Sequence, residues 1–200
     1  MKRQYGKIMQ RIAALMLGAF LFASPMAQAA FNTAIGDIAG TPGDLVNSDP
    51  FELIASTPTL VKTAFLTSDG TPLTTGARLP AGTSVDFLIY INNETAIDLD
   101  DVGIQDTLVG FTYVATSIRV LNTTAECVAT LCTTGPGSEE EGIYNDVVGE
   151  TPLSDSAGND AASFVAAVVE VGNNGVQTTN AVQNAVANTV LAVVFTATLD

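Results

Sequence analysis

The 200-residue chain is 47% hydrophobic and carries 21 acidic residues against seven Lys and Arg, with no His, for a formal net charge of −14. That acidity argues against nucleic acid and anionic membranes as partners. Without His, a Gly-x-Ser-x-Gly elbow or a phosphate-binding loop, the sequence assembles no recognisable catalytic constellation, and no enzyme activity is expected.

Lys2, Arg3, Lys7 and Arg11 are followed by an apolar run from Ile12 to Ala23 and then Ser24-Pro25-Met26-Ala27-Gln28-Ala29. This is the pattern of a cleavable secretory signal over residues 1–29, with Ala27 and Ala29 at the small-residue positions and Ala30 as the new N-terminus. The run is too short to span a bilayer, which takes about 20 residues. Signal removal leaves Lys62, Arg78 and Arg119 against all 21 acids. The expected location is secreted, extracellular or on the cell surface, with no membrane insertion after cleavage.

Residues 30–59 form an N-terminal extension. Ala30 to Ala39 contains Phe31, Ala34, Ile35 and Ile38 and precedes the flexible break Gly40-Thr41-Pro42-Gly43. It reads as a frayed or ordinary first strand, or as a donor strand that completes the sheet of a neighbouring copy. Phe51, Leu53 and Ile54, between Pro50 and Pro58, are expected to cover one end of a sandwich. Leu60 to Thr67 alternates as a strand, and Ser68-Asp69-Gly70-Thr71-Pro72 ends it with turn chemistry. Gly76 to Gly82 is a second loop.

In Thr83 to Val120, Phe87-Leu88-Ile89-Tyr90-Ile91 is a β-branched and aromatic run, which predicts a strand buried on at least one face. Asn92-Asn93-Glu94-Thr95 reads as an interruption, Val102 and Ile104 share a face, and Asp106 to Gly110 reads as a turn. Phe111, Tyr113 and Ala115 then alternate into Ile118 and Val120. With no helix between these strands, their pairing must be antiparallel.

The order Phe87-Leu-Ile-Tyr-Ile-Asn-Asn, Val102-Gly-Ile-Gln-Asp106-Thr107-Leu108, Gly110-Phe-Thr-Tyr113-Val114 and Ser117-Ile-Arg-Val120 resembles the bacterial and archaeal surface-repeat family called domain of unknown function eleven, mainly over residues 60–120. The family's Pro is missing, Val109 standing before Gly110. The resemblance implies an immunoglobulin-like β-sandwich on secreted or surface-attached proteins and no enzymatic activity.

Asn122 to Glu141 is small and polar and reads as an insertion outside the core. It holds Cys127 and Cys132, which an oxidising compartment would pair into a local staple worth about 2 kcal/mol. Gly149 to Asp160 is another polar loop, and Phe164 to Val171 reads as one buried strand ended by Gly172-Asn173-Asn174-Gly175. Ala181, Val182, Ala185 and Val186 fall at helical spacing, predicting a short helix near residues 178–188. Val190 to Leu199 closes the chain as a long apolar strand. The fold expected is all-β: a single immunoglobulin-like antiparallel β-sandwich over residues 60–200.

Asp98, Asp100, Asp101 and Asp106 form the one acidic cluster that could supply several oxygens to calcium, against the ordinary outcome of a solvated loop. Lys62 reads as a strand lysine reaching solvent, although a covalent link to Asn188 is the alternative. Asn93-Glu94-Thr95 and Asn122-Thr123-Thr124 match the glycosylation sequon. No sorting signal follows Asp200, so attachment is expected to be non-covalent. These features predict a secreted structural subunit that forms a head-to-tail homopolymer by lending its N-terminal strand to the next copy. The rival is a monomeric surface or adhesin module that binds glycan or calcium through its acidic loops.

Overall fold

The computed structural model describes residues 29–32, 35–37, 45–47, 51–54 and 58–200 except 126, 129–130 and 174–176. The signal segment up to residue 28, and Ala34 and Ile38 of the candidate donor strand, lie outside the described residues. The chain divides between Thr57 and Pro58 into two compact units.

In the first unit β1 (Ala29–Asn32) pairs antiparallel with β4 (Phe51–Ile54), and β2 (Ile35–Asp37) with β3 (Leu45–Asn47). The N-terminal segment is therefore half of a nested hairpin rather than a lone strand, and Phe51 to Ile54 is its other half. Each ladder has two strands only among the described residues.

The second unit is an antiparallel β-sandwich with one short helix. Its larger sheet orders β10 (Arg119–Ala125), β13 (Thr189–Leu199), β7 (Ser84–Asn93), β5 (Thr59–Leu66) and β6 (Pro72–Leu73), with β9 (Phe111–Tyr113) also on β13. The smaller sheet orders β11 (Ala162–Val165), β12 (Val168–Val171) and β8 (Ile104–Thr107).

The apolar runs of β7 and β13 are continuous because both faces of these strands are covered, a pattern a strand with one solvated face does not need. Val85, Phe87, Ile89, Leu191, Val193 and Phe195 pack toward the smaller sheet's Ile104, Val169 and Val171. Their neighbours Leu88, Tyr90, Val190, Ala192 and Val194 pack on the opposite face against Ile143, Tyr144 and Val147. Those three side chains come from α1 (Glu139–Val148).

Two sequence expectations are corrected by this layer. The segment 122–141 is not outside the core, since Cys127 and Cys132 are buried in the same cluster and are disulfide-bonded. The helix lies at Glu139–Val148, while residues 178–188 form turns and a bridge from Ala185 to Leu99. Ser138 explains the helix start: its hydroxyl accepts the Glu141 N–H, and Glu139, Glu140 and Glu141 occupy the first turn, where negative charge suits the macrodipole. The apolar spacing at 181–186 was misleading because five Asn residues lie from 173 to 188, and Asn180 and Asn184 bond loop groups instead.

Polar groups inside the helical layer are matched. Asp86 is 2% exposed and accepts hydrogen bonds from Thr67 Oγ1 (3.0 Å), Thr196 Oγ1 (2.6 Å) and Tyr144 Oη (2.8 Å). Tyr90 Oη donates to the buried Glu140 carboxylate at 2.8 Å. Burial raises the Glu140 carboxyl above its ordinary range, opposed by the Tyr90 hydrogen bond.

The expected strand 164–171 is a hairpin, β11 turning into β12 at Ala166 and Ala167, whose φ values are 51° and 67°. A two-residue loop with both φ values positive normally takes Asn-Gly, since Cβ disfavours the left-handed region. Replacing Ala166-Ala167 by Asn-Gly is expected to stabilise the protein by about 1 kcal/mol. A thermal melt checks this, and a lowered midpoint would contradict it.

Tyr90, Tyr113 and Tyr144 are the tyrosines beyond residue 29. Burial first, then a hydrogen bond to a carboxylate, raises all three phenols, that of Tyr113 to about 12. The raised values mean that the folded state favours the protonated phenols. Their stabilising effect is complete below the ordinary value of 10.0 and is lost as pH rises from there toward the folded values. Spectroscopic alkaline titration of the chain lacking residues 1–29 should show no phenolate at pH 10 while the fold persists, and ionisation together with unfolding above it. A tyrosine titrating normally in the folded protein would refute this.

Candidate binding pocket

Along β5 the inner-face positions are Lys62 and Ala64, set across from Ile89 and Phe87 of β7. No strand of the smaller sheet contributes to the surface above this corner. Instead a pocket of about 360 Å³ opens there, its floor made by Val85 and Phe87, its walls by Leu73 and Leu79 on one side and Phe111 and Leu199 on the other. Leu73, Leu79, Phe111 and Leu199 are only half-buried. Phe87 meets Phe111 edge-on at 5.1 Å and Phe195 at 5.5 Å, which fixes the floor in place.

Lys62 closes the upper end. Its Nζ lies 2.6 Å from Asp106 Oδ2 on β8 and 4.4 Å above the centre of the Phe87 ring. The lysine side chain is 42% exposed and the aspartate 13%, so this cross-sheet ion pair contributes little stability, about 1 kcal/mol at most. Its stronger effect is positional: the ammonium is held at the pocket rim, over an aromatic face. Asn188, the alternative partner considered for Lys62, sits in a turn with φ 53° and donates its N–H to Thr95 O. Beside the pocket, β8 pairs with β12 alone among the described strands, leaving its other edge open. An apolar floor, a cation at the rim and an adjacent strand edge suit an extended peptide carrying apolar side chains and an acid.

The acidic cluster does not converge. Asp106 faces Lys62, Asp98 Oδ1 accepts the Ala187 N–H at 2.8 Å, the Asp101 N–H donates to Asn184 Oδ1, and Asp100 is exposed. Among the described residues no group of three or more acidic or cysteine side chains could hold a metal ion. The calcium expectation rested on adjacency in sequence, which the loop does not convert into adjacency in space.

Asn92 and Asn93 are not an interruption but the end of β7. Asn93 is fully buried; its Nδ2 donates to the carbonyls of Ile97, Ala185 and Val186, and its Oδ1 accepts from Thr95 N and Oγ1. Asn122 bonds Asn184 O and Val186 N. Both sequon asparagines thus tie the 184–186 segment to the larger sheet, and neither amide points freely to solvent.

The sequence reading missed the pocket because its lining comes from β5, β6, β7, β9, the 74–79 loop and the end of β13. The one local signal was Lys62 itself, a charge placed on the inner-face parity of its strand.

No family model, curated protein or solved structure matches the chain.

From the separation of the four aspartates, thermal melts with excess calcium and with EDTA are expected to coincide. A midpoint several degrees higher in calcium would overturn this reading of the loop.

Proposed function

We propose that this protein is a secreted structural subunit that forms an extracellular filament or matrix fibre by non-covalent, head-to-tail self-association. In this reading the N-terminal strand around Phe31 to Ala39 of one copy enters the pocket of the next and adds to the open edge of β8. The observation that carries it is the mismatch between the layers: a three-stranded sheet faces a six-stranded one, and a pocket with an apolar floor lies at the uncovered corner. One further strand in the smaller sheet would both cover the pocket and pair the edge.

The first unit supports the same reading from the donor side. A two-stranded ribbon is marginal in water by itself and gains stability by joining a larger sheet. Phe31, Ala34, Ile35 and Ile38 are the residues of that segment assigned to assembly. Donor and acceptor are different surfaces, so the contact is heterologous and propagates without closing. The resemblance to surface repeats and the secretory pattern of residues 1–29 support assembly outside the cell.

Deleting Ala30 to Gly40 is expected to abolish filaments and leave monomers, read by size-exclusion chromatography and negative-stain microscopy of the secreted protein. Filaments of wild-type length from the deleted chain would refute strand donation.

A further inference from the structure

We propose that the open edge of β8 receives an extended strand through the backbone groups of Gln105 and Thr107, and that Lys62 selects a strand whose inward side chains read apolar, acid, apolar at alternate positions. This rests on strand addition at the pocket, as above, and not on which segment supplies the strand.

The direction of the β8 backbone groups follows from the β11–β12 hairpin. Its two-residue loop makes Val165 and Val168 a hydrogen-bonded pair, so the backbone of Val168 and Glu170 turns to β11 and that of Val169 and Val171 turns to β8. The flanking bonds agree: the Gly172 N–H donates to Ala161 O on the β11 side, and the Leu108 N–H to Ala167 O on the β8 side. Ile104 and Asp106, opposite Val171 and Val169, therefore direct their backbone groups to β12. Gln105 and Thr107 turn theirs the other way, to an edge that no described strand pairs, and both residues are exposed. Two alternate residues, each offering an N–H and a C=O, are what a further strand needs.

The surface beneath this edge sets what the strand must carry. Leu60, Lys62 and Ala64 share the face of β5 opposite to that of Val61 and Phe65, which pack on the helical side. Leu60 is 60% exposed, and Lys62 stands between it and the floor made by Ala64 and Phe87. A strand added beside β8 lies above this row, and its side chains alternate as those of β5 do. Three successive inward positions then meet Leu60, Lys62 and Phe87, which asks for an acid between two apolar residues. The pattern is the same read from either end, so it holds for parallel and antiparallel addition.

Charge favours the acid at the middle position. The Lys62 ammonium has three N–H donors and gives one to Asp106 at 2.6 Å, which leaves donors for a second carboxylate. A strand that covered the ammonium with a third apolar side chain would desolvate it without compensation. A small amphipathic acid would meet Lys62 and the floor but leave Gln105 and Thr107 unpaired, so the edge points to a strand.

The test uses the full secreted chain with two labelled peptides, acetyl-Thr-Val-Thr-Asp-Thr-Val-Thr-amide and its counterpart with Lys for Asp. Binding is read by fluorescence anisotropy and self-assembly by sedimentation. Thr107→Pro removes an outward N–H and no bond to β12, whereas the Gln105 side chain also bonds Glu170. Thr107→Pro is expected to fold, to bind the acidic peptide about tenfold more weakly and to form correspondingly less polymer. Wild type is expected to prefer the acidic peptide about tenfold, and Lys62→Glu to prefer the basic one. Circular dichroism melts establish folding; if Thr107→Pro does not fold, the peptide preferences of wild type and Lys62→Glu decide alone. Wild-type polymer from Thr107→Pro, with none from the Ala30–Gly40 deletion, overturns the β8 edge and leaves strand donation standing. Polymer from the deletion that is lost in Thr107→Pro overturns the donor segment and leaves the edge standing. A Thr107→Pro chain that binds the acidic peptide as wild type does makes Lys62 a site for small carboxylates and overturns the strand. Equal affinity for the two peptides overturns the role of Lys62, and a wild type that neither binds peptide nor polymerises overturns the site.

Discussion

The structure depends on the pairing of β7 with β13. Ten residues of each strand are in continuous antiparallel register, from Ser84 opposite Thr198 to Asn93 opposite Thr189, with no bulge along the way. Because both strands are covered on both faces, almost every side chain in this pair is buried, and the alternate positions serve different layers. Shifting β7 by one residue would move Phe87 and Ile89 to the helical side and carry Asp86 into the space between the sheets, away from the three hydroxyls that satisfy it. A buried carboxylate without those partners is far more costly than a lost apolar contact. Asp86 therefore acts against misregistration as well as being tolerated by the fold.

The same economy of polar groups governs the periphery. Where β9 gives way to β10, the β13 backbone would lose its partner at Thr196. Ser117 supplies one: its hydroxyl accepts the Thr196 N–H at 3.0 Å and donates to Val114 O at 2.6 Å. Asp155, from the polar loop 149–160, holds this break by accepting from Tyr113 Oη and the Thr116 N–H. At Gly172 a Cβ would lie 2.1 Å from Val102 O, so the approach of the two chains there excludes any other residue. These local closures leave one corner of the larger sheet without a cover, and the pocket under Lys62 is that remainder.

The sandwich was legible because period-two alternation and turn chemistry survive wherever one face is wet, as in Leu60 to Thr67. Continuous apolar runs were also readable as strands, but not the reason for their continuity: Phe87 to Ile91 signals burial without saying that a helix supplies half of it. That helix escaped detection because its apolar residues are few, Ile143, Tyr144, Val147 and Val148 behind three glutamates, and its stability comes from docking and capping more than from pattern. The Ala166-Ala167 turn was invisible for the opposite reason, since its residues contradict the conformation they adopt. Of the candidate site, Lys62 and Asp106 were each noticed in sequence for other roles. Their meeting across 44 residues is a product of sheet stacking, which no local pattern encodes.

The position of β13 in the chain bears on how the protein reaches this state. It follows every other strand of the larger sheet in sequence, yet it lies in that sheet's interior, between β7 and the β9 and β10 edge. Until its residues are available, β7 has an unpaired flank, β9 and β10 have nothing to join, and the helix has half a surface to dock on. The pairing that ends this state closes a loop of nearly a hundred residues, from Asn93 to Thr189. Such long-range contacts are slow to form and leave hydrophobic strand edges exposed meanwhile. Completion of the larger sheet therefore waits on β13, and until β13 is in place one edge of β7 stays open.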